Sequence, residues 1–85
     1  MIDELLRESG IAQEFIEQGR EQGREQGRLE GEREFVLVAL EGRFGSLSED
    51  VRTAVATTDE TTLRELMAHL TTESLEQVRA RLGLA

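Results

Sequence analysis

The chain contains no cysteine, no proline, no tryptophan and no tyrosine, and all ten of its basic residues are arginine. Without cysteine there are no disulfides and no thiolate metal sites. The single histidine, His69, excludes a multi-histidine site. Long apolar runs are also missing. The longest is Phe35–Leu40, far short of the ~20 residues that span a bilayer. The start Met1-Ile2-Asp3-Glu4-Leu5-Leu6 lacks the basic opening of a signal peptide, so the chain is expected to be cytoplasmic. The absence of proline means that nothing forces a helix to break.

Positive charge is in short supply as well. Eighteen acidic residues face ten arginines, for a net charge of −8. Such a chain repels phosphate backbones and anionic membrane surfaces, so neither nucleic acid nor membrane is expected as a direct partner. At 85 residues there is room for one compact domain plus an extension. A core of about this size rarely supplies more than ~3–5 kcal/mol. With disulfides and metals excluded, a partner chain is the expected source of further stability.

What is present divides at residue 34. Residues 1–34 are rich in Gln, Glu, Arg and Gly, with ten acidic residues against five arginines. Residues 35–85 hold most of the large apolar side chains. In the first region Ile2, Leu5, Leu6, Ile11, Ala12, Phe15 and Ile16 recur at helical spacing. A four-residue repeat follows: Gly19-Arg20-Glu21-Gln22, Gly23-Arg24-Glu25-Gln26, Gly27-Arg28-Leu29-Glu30 and Gly31. It has two readings. One is a solvated linker, since each interior glycine costs a helix about 1 kcal/mol relative to Ala. The other is a continuous helix whose glycines form a bare, slowly winding groove, open to the close approach of another helix. Glu17–Arg20, Glu21–Arg24, Glu25–Arg28 and Glu30–Arg33 stand at i,i+3 and favour the helix, but only by a few tenths of a kcal/mol each. A helix is therefore expected when a partner covers the groove.

The second region opens on Phe35-Val36-Leu37-Val38-Ala39-Leu40. The lack of a turn signal before Phe35, and of any second strand, predicts a helix running from the repeat to about Phe44 and buried on most sides here. Gly45 is placed to end it. Ser48 is the expected N-cap of the next helix, with Glu49 and Asp50 in its first turn and Val51, Ala54 and Val55 on its apolar face. Thr58 or Asp59 caps a third, in which Leu63, Leu66, Met67 and Leu70 fall at i, i+3, i+4, i+7. Ser74 and Gln77 fit a capping box for a last helix carrying Leu75, Val78 and Leu82 and ending at Gly83. The predicted fold is all-α: a long Gly-repeat helix followed by a bundle of three short helices, assembled as an oligomer.

No chemistry stands out. The carboxylates fall in helix first turns or in pairs with arginine, and nothing suggests the raised pKa of a general acid. His69, beside a helix C-terminus, has no second metal ligand. Gly42–Gly45 lacks the Gly-x4-Gly-Lys-Ser/Thr pattern of a phosphate loop. No catalytic residue, cofactor or metal is expected, and the chain reads as a non-enzyme.

The stretch Leu40-Glu41-Gly42-Arg43-Phe44-Gly45-Ser46-Leu47-Ser48-Glu49-Asp50-Val51-Arg52 resembles the L-x-x-R-F-G-x-L-P/S-x-x-V segment that ends members of the Rpn family, the recombination-promoting nucleases also labelled transposases. There, too, it follows Glu-Gln-Gly-Arg repeats. Ala56 to Leu63 and Thr72 to Val78 look like that family's downstream A-x-x-x-x-x-x-L and S-L-x-x-V elements. The resemblance spans roughly residues 10–82. Ser48 stands where many relatives carry Pro, and either suits a helix start. The PD-(D/E)xK-type nuclease domain of full-length members has no counterpart here, so no catalytic residue carries over.

The resemblance implies the self-associating C-terminal part of such a protein. In the family, short products of an internal start bind the full-length nuclease and restrain it, as an antitoxin does. A chain that begins with Met and holds only this segment looks like such a product, or equally like a truncated piece. The leading expectation is a regulator that homo-oligomerises, as a dimer or larger, and joins a full-length Rpn-type nuclease through the same surface. The alternative is a purely structural oligomerisation domain. The expected interface comprises Ile11, Phe15, Ile16, Gly19, Gly23, Gly27, Gly31, Phe35 and Leu37. Helix orientation is left open.

Overall fold

The computed structural model describes residues 11–85 and, within them, every side chain except those of Ile11 and Ala12. The expected stripe residues Ile2, Leu5 and Leu6 lie outside the described residues, as does the side chain of Ile11. Among the described residues all regular structure is helical. The elements are α1 (Ile11–Phe44), α2 (Glu49–Thr57), α3 (Glu60–Ala68) and α4 (Leu75–Arg81). The principal-axis extents are 58 × 21 × 21 Å. That length belongs to α1, whose 34 residues rise about 51 Å at 1.5 Å each.

The Gly repeat is thus helical, and α1 passes from residue 34 to residue 35 without a break. It ends at Gly45, whose φ of +77° is the left-handed conformation that favours glycine. The Gly45 N–H donates to the Glu41 carbonyl at 2.8 Å, closing the last turn. The helix starts downstream follow the sequence with one exception, and α3 stops at Ala68, so Leu70, expected on that helix, lies in the turn that follows. Asp59 caps α3, accepting from the Thr62 N–H at 3.0 Å. Ser74 and Gln77 close a reciprocal capping box on α4 through bonds of 2.8 and 3.2 Å. Gly83, at φ +77°, ends α4. At α2, Ser48 holds the N-cap position without capping. Its hydroxyl donates to the Asp50 carboxylate, whose Oδ1 also accepts the Val51 N–H at 2.8 Å. An acceptor two residues on has taken the hydroxyl out of reach of the backbone.

The core lies between the C-terminal half of α1 and the three short helices. Val36 and Leu40 of α1 meet Val51 and Val55 of α2, Leu63 and Leu66 of α3 and Val78 of α4, with Leu47 closing one side. Leu29, Leu37, Phe44, Met67, Leu70, Leu75, Leu82 and Leu84 pack around them. The expectation that Phe35–Leu40 is buried on most sides is corrected here. Phe35 and Val38 remain 57% and 59% exposed. The short helices cover one side of α1, and six consecutive apolar residues encircle a helix further than they reach.

Polar contacts fix the short helices to α1. Arg33 donates to the Thr58 carbonyl at 2.7 Å, and Arg28 pairs with Glu60 at 2.7 Å. Arg52 of α2 pairs with Glu41 at 2.6 Å. Arg43 donates to the carbonyls of Leu70 and Glu73 at 2.7 and 2.6 Å, tying the α3–α4 turn to the end of α1. Arg79 pairs with Asp50 at 2.8 Å. Glu73, though buried, accepts from Arg81 Nε through both oxygens at 2.6 and 2.8 Å. The Arg81 guanidinium holds the Glu73 carboxyl below its ordinary value of 4.5. Arg79, helped by the Ser48 hydroxyl, does the same to Asp50.

Both carboxyls have folded-state pKa values below their unfolded ones. Their stabilisation is complete above the unfolded values and is lost as pH falls through the folded ones. The melting temperature should therefore fall as the pH drops below about 4. Glu73→Gln should lower it at pH 7 and flatten that acid slope, as followed by circular dichroism between pH 3 and 7. An unchanged slope in the variant would remove the Glu73–Arg81 pair from the explanation.

Candidate association surface

Residues 13–27 of α1 are all exposed, so the first half of the helix stands clear of the bundle. It carries Phe15 at 69% and Ile16 at 52% exposure. The polar depressions there, among Glu14, Glu17, Gln18, Arg20, Glu21 and Arg24 and beside Gln13 and Ile16, are gaps between side chains of one helix, and no second element walls them.

Among the described residues, nothing crowds the glycines of α1. A Cβ built on Gly19, Gly23, Gly27, Gly31 or Gly42 meets no atom within 4 Å, and none of the five has a positive φ. Gly45, by contrast, is required by its conformation. Gly19, Gly23 and Gly27 alone cost the uncovered arm about 3 kcal/mol relative to alanine. A helix of such length is marginal by itself even when rich in alanine.

The face each residue occupies follows from about 100° per residue. Val36 and Leu40 define the side turned to the bundle. Gly27, Gly31, Val38 and Gly42 then lie within ~40° of the opposite direction, and Phe35 lies ~60° from it. The exposed apolar pair and the open glycines thus share one outer face. Gly23 and Ile16 sit at one edge of it. Gly19 and Phe15 have wound round toward the bundle side, beyond the bundle's end. Leu37 also turns away and packs half-buried against the core. Four-residue steps advance about 40° each around the helix, so the expected interface residues from Phe15 to Leu37 do not all lie on the side of α1 away from the bundle. Val38 and Gly42 were absent from that expectation, although i, i+4, i+7, i+11 from Gly31 marks them.

The charges divide along α1. Of the expected i,i+3 pairs, Glu25–Arg28 is closed. Arg28 also bonds Glu32 at 2.7 Å besides Glu60, and these carboxylates hold its guanidinium strongly protonated. Arg33 leaves Glu30 for the Thr58 carbonyl. Among the described residues Arg20, Arg24 and Glu34 enter no ion pair.

His69 is exposed at the end of α3, its Nδ1 3.0 Å from the Glu65 carbonyl. Among the described residues no three His, Cys, Asp or Glu side chains are grouped to hold a metal ion, and no helix is long and apolar enough to cross a membrane. Comparison with known proteins gives no match to a family model, a curated protein or a solved structure.

Replacing Gly23 and Gly27 together by Leu places each Cβ where no described atom lies within 4 Å and raises helix propensity. It should increase the helicity and melting temperature of the isolated chain while weakening self-association. Circular dichroism and sedimentation equilibrium on the double variant read the two effects separately. Unchanged or tighter association would mean that the glycines are not contact residues.

Proposed function

We propose that this chain is a protein–protein association module. It self-associates through α1 and binds a full-length Rpn-type DNA nuclease by the same helix, restraining cleavage as an antitoxin-like product in the cytoplasm. The observation that carries the association is the exposed helical arm with glycines that no described neighbour crowds. Exposed Phe15, Ile16, Phe35 and Val38 add apolar area along the same helix. The net charge of −8 argues against direct contact with DNA, so the proposed inhibition acts through protein contact. The nuclease as partner rests on the sequence resemblance around Arg43-Phe44-Gly45 and on the preceding repeat. In this reading the bundle of α2–α4 holds the C-terminal half of α1 and leaves its other side free. The chain needs no catalytic group of its own.

DNA cleavage by the purified full-length nuclease should fall as this chain is added in increasing molar excess. The Gly23→Leu/Gly27→Leu variant should suppress it less. Equal cleavage with and without a large excess of the chain would defeat the inhibitory reading.

A further inference from the structure

We propose that two copies of this chain pair antiparallel through the outer face of α1, with Gly27 of each helix crossing Gly31 of the other. This inference rests on the association reading and adds the orientation and register.

The face reads as a seam. Glu17, Arg20, Arg24, Gly27, Gly31, Glu34, Val38 and Glu41 alternate at spacings of three and four, the rhythm of a long, shallow helix–helix contact. It is open along its length, because the bundle occupies the other side of α1. Its ends differ in charge. Arg20 and Arg24 stand toward the N-terminus, and Glu34 and Glu41 toward the C-terminus. A parallel pair sets Arg24 against Arg24 and Glu34 against Glu34. An antiparallel pair sets Arg24 of each copy against Glu34 of the other, satisfying charges that have no ion-pair partner within the described chain.

The same register aligns the apolar residues with the bare positions. With Gly27 opposite Gly31, Phe35 falls opposite Gly23 and Ile16 opposite Gly42, where an added Cβ meets no atom of its own chain. Val38 lies under the aliphatic stem of Arg20, which can cover it while its charge stays in water. The one like-charged pairing, Glu17 with Glu41, is relieved because Glu41 is already paired with Arg52 at 2.6 Å. The surface is self-complementary, as a two-fold dimer requires.

The chain has no cysteine, so a spin label on Gln13→Cys reports one position per copy. In the proposed register residue 13 lies opposite residue 45, and the two labels stand about 50 Å apart along the axis. Parallel pairing brings them within about 20 Å. A long distance by double electron–electron resonance is expected. A short distance would overturn the orientation and leave association standing. No dipolar coupling, with a monomeric mass by light scattering, would overturn both.

Charge reversal supplies a second test. Glu34→Arg should weaken dimerisation by about ten-fold, and adding Arg24→Glu should restore it. In a parallel pair the single change leaves like charges facing like, so an unaltered dissociation constant for Glu34→Arg would also overturn the proposal.

Discussion

Helical backbone at positions that disfavour it is the constraint on which the rest depends. Each interior glycine of α1 costs about 1 kcal/mol relative to alanine, and a Cβ at Gly19, Gly23, Gly27, Gly31 or Gly42 meets no described atom within 4 Å. Small proteins are stable by only ~5–15 kcal/mol. Among the described residues the core holds eight buried apolar side chains. Several kcal/mol spent on glycine in one helix is thus a large fraction of what such a core provides. A second helix close enough to need bare backbone returns that cost as packing, which a monomer cannot do.

The bundle gives α1 its two unlike sides. Val36 and Leu40 anchor one side in the core. Arg28, Arg33, Arg43 and Glu41 reach out to α3, the α3–α4 turn and α2. These exposed and half-exposed pairs contribute modestly each. Their effect is positional, because they hold three short helices against one side and leave Phe35 and Val38 uncovered on the other. Without that fixed placement the apolar run Phe35–Leu40 would have no defined outer face.

Local signals made most of the fold legible in the sequence. Asp59, Ser74 with Gln77, and the left-handed glycines Gly45 and Gly83 act within four residues of themselves, so their effects read directly from the chain. Leu63, Leu66 and Met67 also predicted which side of α3 is buried, while Leu70, beyond the end of α3, packs on the core from the turn. What was hidden depended on contacts between distant residues. That Leu37 faces the core while Phe35 and Val38 do not is decided by where α2 and α3 dock. Arg33 leaves Glu30 because the carbonyl of Thr58 is brought near by the fold. At Ser48 a competing acceptor, Asp50, decided the outcome, and residue type alone does not rank the two. In the candidate surface the repeat drew attention to a glycine every four residues. A four-residue step does not stay on one face of a 3.6-residue helix, so the side of α1 away from the bundle carries Val38 and Gly42 and not Gly19.

The central claim is that the exposed arm is helical because another helix covers it. The most direct test measures mass by light scattering and helicity by circular dichroism on the same dilution series of the unmodified chain. Mass should fall from dimer to monomer with dilution and helicity should fall with it, as the uncovered glycine-bearing arm loses its partner. A chain that remains monomeric throughout, with helicity independent of concentration, would contradict the claim.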